Sequence, residues 1–256
     1  MGDPWTRWTA RPALEEALAR DEFRLVYQPV VSLGDGAVVG AEALLRWEHP
    51  RHGQLLPASF LPALEESGLI VDVGAWALRT ACAQAAEWNA GGAGPLSVGV
   101  NVSGHQAADQ RVVDHVARAL DDSGLAPSLL HLELTETVPL ERTVAIAGRL
   151  AELKALGVRL VLDDFGTGWC SLGYLTRFPI DAIKLDRSFV AGLAHDPRAV
   201  AIVDAVIALA ERLGMEIVAE GIETGGQRDD VLAAGCSLAQ GFFFGRPGPA
   251  ALVAAA

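Results

Sequence analysis

Several residues between positions 42 and 240 are of the types that hold cations or move protons: Glu42, Asn101, Glu133, Glu136, Asp163, Asp164, Lys184, Asp186, Glu220 and Gln240. Carboxylates combined with an amide oxygen and water form an all-oxygen donor set, which suits Mg²⁺ or Mn²⁺ rather than zinc. The vicinal pair Asp163-Asp164 is informative. Neighbours in a regular strand face opposite sides, but at a strand end, where the chain turns, both can point into one opening. One carboxylate shared between two ions, each with further ligands of its own, is the arrangement of two-metal phosphodiester hydrolysis. Lys184 adds a point charge near the nucleophile or the phosphate. The same inventory also suits a barrel that abstracts a proton next to a carboxylate, as in enolase-type chemistry, and the residue types alone do not separate the two.

Residues so far apart in sequence meet only if a fold gathers them. Short β-type runs alternate with helical stretches along the whole chain, the pattern of a barrel or a doubly wound sheet. Strands are predicted at Phe23–Pro29, Val38–Leu45, Leu96–Val102, Leu130–Leu134, Val158–Asp163, Ala182–Leu185, Glu216–Ala219 and Ala239–Phe244. Eight strands favour closure into an α/β, TIM-like (β/α)8 barrel. Helices are predicted from Asp196-Pro197 to Gly214, from Pro139 to Gly157, and over Asp72–Asn89. The first of these has an N-cap, a proline at N1, a closing glycine and one apolar face (Val200, Val203, Ile207, Ala210, Leu213). Only Ser32–Gly36 separates the first two strands, a hairpin signal that reverses one strand against the other seven. In a barrel all C-terminal strand ends open onto one mouth. A single acid there is ordinarily a helix cap or a solvated charge. A ring of them repels itself unless counter-ions are present.

The bulk properties agree with one large domain. The 256 residues carry 20 Lys+Arg against 32 Asp+Glu, a net charge of −12 that argues against binding to nucleic acid polymers. Mean hydropathy is +0.28, as expected where strands are buried on both faces. No apolar run reaches the length of a membrane span, so membrane insertion is not expected. The start, MGDPWTRW, lacks the features of a signal peptide. Cys82, Cys170 and Cys236 form no metal-like pattern, and a reduced, cytoplasmic setting is expected.

The local motifs are more specific. Gly40-Ala41-Glu42-Ala43-Leu44-Leu45-Arg46-Trp47 is joined in order by Tyr27-Gln28-Pro29, Asn101-Val102-Ser103, Glu133-Leu134-Thr135-Glu136 and Asp163-Asp164-Phe165-Gly166-Thr167-Gly168. Ile183-Lys184-Leu185-Asp186, Ala219-Glu220-Gly221-Ile222-Glu223, Gln240-Gly241-Phe242 and Gly245-Arg246-Pro247 follow. From about Leu14 to Pro247 the chain resembles the EAL family of bacterial cyclic di-GMP phosphodiesterases. The resemblance implies a barrel with one reversed strand that hydrolyses cyclic di-GMP to linear pGpG with two Mg²⁺ or Mn²⁺ ions, calcium inhibiting. It implies that Glu42, Asn101, Glu133 and Asp163 hold one metal, with Asp163 bridging to a second held also by Asp164 and Glu220. Lys184 matches a lysine near the attacking water, Gln240 a group orienting water or ligand, Gln28 and Arg46 contacts to the dinucleotide, and Glu136 an anchor of the Gly-Thr-Gly loop. The alternative within the family is a catalytically silent cyclic di-GMP receptor, whose members usually lack one or more ligands; this chain lacks none. Enolase-like chemistry recedes once the motif order is considered. The resemblance further implies a homodimer and a sensory or GGDEF domain fused outside this chain, with residues 1–13 as an extension or linker remnant and 14–256 as the phosphodiesterase domain.

Departures from the family pattern are few. Trp169 and Cys170 follow the glycine loop where Tyr-Ser is usual, Gly99 stands where Ser is common, and His105 where Arg is common. His49 and His52 form an H-x-x-H pair with no cysteine partner and read as surface-loop residues. Cys170 reads as an ordinary thiol, since nothing basic flanks it. Trp5 and Trp8 either pack on the barrel or mark a junction, and Ala250–Ala256 reads as a frayed helix.

Overall fold

The computed structural model describes residues 10–92, 94–135, 143–165, 175 and 177–254. Strands β1 (Phe23–Ser32) and β2 (Val38–His49) form the expected hairpin, paired antiparallel with Gln28 opposite Glu42. A three-residue strand, β3 (Gly53–Leu55), adds antiparallel to the outer end of β2. Then come β4 (Ser97–Val102), β5 (Leu130–Thr135), β6 (Arg159–Phe165), β7 (Ala182–Leu185), β8 (Glu216–Ala219) and β9 (Leu238–Gln240). The order β1-β9-β8-β7-β6-β5-β4-β2, closed by β1–β2, is an eight-stranded barrel. Strand β1 runs against both neighbours while the remaining neighbours pair in parallel. The expected barrel with one reversed strand is the observed fold.

Several boundaries differ from expectation: β1 runs on to Ser32 and β2 to His49, three and four residues past Pro29 and Leu45. The last strand ends at Gln240, not Phe244. A Cβ on Gly241 would overlap the backbone of Ile222, and this glycine lets the chain fold back so that Ile222 N–H donates to Gln240 O at 3.1 Å and Phe243 N–H to Ile222 O at 2.9 Å. Strand β3 escaped notice because three residues carry no alternation signal.

Helices α1 (Arg11–Ala19), α2 (Leu61–Ser67), α3 (Ile70–Ala90), α4 (Gly104–Ala108) and α5 (Val112–Ser123) precede β5. Helices α6 (Thr143–Ala155), α7 (Arg187–Gly192), α8 (Pro197–Leu213), α9 (Gly225–Ala233) and α10 (Ala251–Ala254) follow. Helix α8 starts as its sequence dictates, the Asp196 side chain accepting the N–H of Arg198, and ends at Gly214 in the left-handed region (φ 71). The helix expected from Pro139 is seen from Thr143; Pro139 lies outside the described residues, as do Trp5, Trp8, Glu136, the Gly166–Gly168 loop, Trp169 and Cys170.

Period-two alternation divides the strands into two faces. Val98, Val100, Val102, Leu130, Leu132, Leu160, Leu162, Ile183 and Leu185 join the principal core under the helices. The alternating positions Asn101, Glu133, Asp163 and Lys184 are left for the barrel interior. A second cluster around Phe23, Trp47, Phe60, Leu64 and Ile70 packs the N-terminal helices beside β2. Its aromatic rings stand 5.7–5.8 Å apart, and Trp47 Nε1 donates to Glu22 Oε2 at 2.9 Å.

One clamp ties α6 to the sheet. Lys154 Nζ donates to both Asp181 oxygens at 2.8 Å and to Val158 O at 3.2 Å, while Asp181 also accepts Leu160 N–H at 2.7 Å. Asp181→Ala leaves the part-buried Lys154 ammonium with Val158 O alone and the Leu160 amide without its acceptor. It should cost about 2 kcal/mol in urea unfolding, with no change in divalent-cation binding, since Asp181 is not part of the acidic mouth.

Candidate functional site

The inward-facing strand ends meet around Lys184. Its ammonium is almost fully buried and stands 3.0 Å from Glu42 Oε2, 2.9 Å from Glu133 Oε2, 2.7 Å from Glu220 Oε1 and 3.2 Å from Asp163 Oδ1. An ammonium has three hydrogens to donate, and here four carboxylates compete for them. Asp163 Oδ1 is the atom left over, buried in ion-pair contact with Lys184 but with no directed hydrogen bond.

The remaining candidates extend this centre. Asn101 Nδ2 donates to Glu42 Oε1 at 2.7 Å. Gln240 Nε2 donates to Glu42 Oε2 at 2.8 Å and to Gln28 Oε1 at 3.0 Å, and Gln28 Nε2 donates to Gly245 O at 3.1 Å. This relay locks the three side chains of β1, β2 and β9 and leaves Gln240 Oε1 buried without a partner. Arg46 lies four residues beyond Glu42 on β2, its Nη1 donating to Leu45 O at 2.7 Å. Burial holds its guanidinium below the usual range, against the pull of Glu42.

The vicinal acids reach the mouth by a backbone device. Asp164 has φ 52, and the β6–β7 register shifts between Leu162 and Phe165. Strict alternation would turn Asp164 away from Asp163. Instead, one carboxylate oxygen from each of Asp163, Asp164 and Glu220 lies within 4.8 Å of the others. Asp is among the few non-glycine types that adopt this left-handed conformation routinely.

Charge is unevenly balanced at this centre. Burial alone would raise Glu42, but Lys184 and the hydrogen bonds from Gln240, Lys184 and Asn101 outweigh it and hold it low. Burial, then the Glu42 charge, pushes Glu133 well above the carboxylate range. Burial, opposed by Lys184 and aided by Asp163 and Glu42, raises Glu220 to about 7. Asp164 is raised by burial and by Asp163. Burial opposes the Lys184 charge, but its four carboxylates hold its pKa well above the usual value. A single cation therefore does not satisfy these acids. An all-oxygen set with a buried carboxylate oxygen lacking a donor is the chemistry that hard divalent cations fit.

Three cavities meet here. A cleft of about 330 Å³ at the mouth is lined by Gln28, Glu42, Asp163, Asp164, Glu220 and Gln240. Arg187, Glu223 and Phe242 also line it; strand-end reasoning passed over them because they lie beyond the strand ends. An apolar groove of about 500 Å³ runs from Glu42 and Asn101 along Leu44, Leu61 and Val73. A third cavity, of about 320 Å³, lies inside the barrel beneath Glu133 and Lys184. Asp186, expected near the mouth by strand-end reasoning, also lines the cleft, but its side chain caps α7 by accepting Ser188 N–H, the ordinary role for an acid there. His49 Nδ1 accepts Arg51 N–H at 3.0 Å, so this ring is engaged by its own turn.

The fold and site define an α/β barrel protein with an acidic, oxygen-rich centre that could hold a divalent cation. The EAL domain profile matches residues 11–247, and the chain belongs to the EAL domain family. It is 46% identical over 237 residues to the bifunctional diguanylate cyclase/cyclic di-GMP phosphodiesterase MucR of Pseudomonas aeruginosa, covering 93% of this chain and 35% of that protein. The cyclic di-GMP phosphodiesterase NbdA of the same organism is 41% identical over 241 residues, covering 93% and 30%. The chain thus spans about a third of these relatives. Among solved structures, a MucR phosphodiesterase complex with c-di-GMP superposes with a TM-score of 0.88 at 45% identity, covering 94% of this chain and 97% of that one. The EAL enzyme Bd1971, bound to cAMP and cyclic-di-GMP, gives 0.89 at 30% identity, covering 95% and 67%.

Two measurements test this electrostatic picture. Between its ordinary value of 4.5 and about 7, Glu220 holds a proton in the folded, metal-free protein that the unfolded chain has released. Stability in EDTA should therefore fall as pH rises through that window. Thermal unfolding at pH 5 to 8 should show this slope, flattened in Glu220→Gln; a slope of opposite sign would contradict the assignment. Separately, Asp164→Ala should be less stable than Asp164→Asn by about 1 kcal/mol in EDTA, because alanine resists the left-handed backbone.

Proposed function

We propose that this domain hydrolyses cyclic di-GMP to linear pGpG in a reaction dependent on Mg²⁺ or Mn²⁺. The observation that carries the reading is the crowding of four carboxylates on one lysine, with Asp163 Oδ1 left without a donor. Relatives named as cyclic di-GMP phosphodiesterases support the choice of substrate.

In this reading Glu42, Asn101, Glu133 and Asp163 hold one cation, and Asp163, Asp164 and Glu220 a second. Bound cations supply an acidified water and positive charge for a phosphodiester. The protein's own groups do the rest. Lys184 keeps its proton throughout and fixes a positive charge beside the cleft. Gln240, with its amide hydrogens committed to Gln28 and Glu42, presents Oε1 as an acceptor that orients water. Gln28 and Arg46 contact the dinucleotide, the guanidinium fork suiting phosphate oxygens. Calcium, larger and looser in coordination, inhibits. Residues 14–256 act as the output module of a longer cytoplasmic protein that pairs as a homodimer.

Chromatography of cyclic di-GMP incubated with the purified domain and Mg²⁺ or Mn²⁺ tests the reaction. pGpG should appear at a rate that Glu42→Ala abolishes. Equal product with wild type and Glu42→Ala would refute catalysis, and binding without turnover would make the domain a receptor. Asp163→Asn should cost more activity than Gln28→Ala, by about tenfold or more, because it touches both cation sites.

A further inference from the structure

Glu133 differs from the other acids in where its carboxylate points. Its Cα pairs with Asn101 in the β4–β5 register, at the mouth end of both strands. Its side chain nevertheless lines the cavity inside the barrel, and Glu133 is not among the residues lining the mouth cleft. The space it fills belongs to residue 99, one inward layer below Asn101. A Cβ on Gly99 would overlap Glu133 Oε1 and lie 2.9 Å from its Cδ. The carboxylate is thus folded back down the barrel, where its Oε2 accepts from Lys184 at 2.9 Å.

We propose that Gly99 is a positioning residue: it gives Glu133 a retracted resting place over the missing side chain, from which the carboxylate must rise to join Asn101, Glu42 and Asp163 in holding a cation. The inference rests on the metal-dependent reading above. The three heavy atoms nearest to the added Cβ all belong to the Glu133 side chain, led by its terminal oxygen. A small side chain at 99 therefore displaces that flexible end and leaves the barrel backbone in place. Retraction weakens cation binding in proportion to the fraction of molecules in which the carboxylate is raised.

Blocking retraction should tighten cation binding. Gly99→Ala and Gly99→Ser, stripped of metal and titrated with Mn²⁺ by calorimetry in the absence of nucleotide, should bind more tightly than wild type. The gain is about tenfold if one free molecule in ten has Glu133 raised. In a Glu133→Gln background the gain should vanish, which separates displacement of this carboxylate from a general effect on the fold. Unchanged or weaker Mn²⁺ affinity in both variants, with wild type binding normally, would overturn the inference. Failure of wild type to bind Mn²⁺ would instead overturn the metal-dependent reading beneath it. Crystals of wild type with and without Mn²⁺ give a readout independent of the variants. The carboxylate should lie over Gly99 only in the metal-free form, and finding it there in both would overturn the proposal.

Discussion

An ammonium can donate three hydrogen bonds, and four buried carboxylates converge on the ammonium of Lys184. Much of the geometry at the barrel mouth follows from that shortfall. Glu42 is fully served, because Asn101 and Gln240 add donors to the share it takes from Lys184. Glu133 and Glu220, less well supplied, are pushed toward protonation by burial. Asp163 is left with an oxygen that accepts nothing. The arrangement is poorly neutralised from within, and this is the physical sense in which it is built for an external cation. A pair of acids whose neighbours drive them in opposite directions is also a common mark of a working site.

Backbone irregularities do as much as side chains to assemble the centre. Asp164 reaches the others only because its φ of 52 breaks the strand alternation. Beyond the β8–β9 register that puts Glu220 and Gln240 on the same cleft, Gly241 lets the chain fold back onto the backbone of Ile222. Neither device contributes a functional group. The first decides which groups can meet.

The sequence made the scaffold legible where its signals are local and repeated. Eight apolar runs, the short hairpin connection between β1 and β2, and the Asp196-Pro197 and Gly214 signals translated directly into the barrel, its reversed strand and helix α8. Strand-end counting found Glu42, Asn101, Glu133, Asp163, Lys184, Glu220 and Gln240, because alternation and a common mouth are enough to gather them. Gln28 and Arg46 came from the motif match alone. What stayed hidden depends on three-dimensional placement. That Gln28 and Gln240 lock each other and that Glu133 points down the barrel are facts of packing that no spacing encodes.

The barrel interior shows why such a strained site is tolerated. A (β/α)8 barrel is ordinarily filled by stacked layers of bulky side chains. Here residues as small as Gly99 and Ala182 line the layer beneath the mouth, and a cavity of about 320 Å³ takes the place of packed side chains. The outer shell compensates. Val98, Leu130, Leu132, Leu160 and Ile183 are wholly or almost wholly buried between the strands and helices. Each such side chain contributes about 1.5–3 kcal/mol relative to exposure. With folding secured by the shell, the interior is free to hold charge and open space that a packed core could not accommodate. The cost of crowding four acids is then set against the whole fold, and the barrel closes around them.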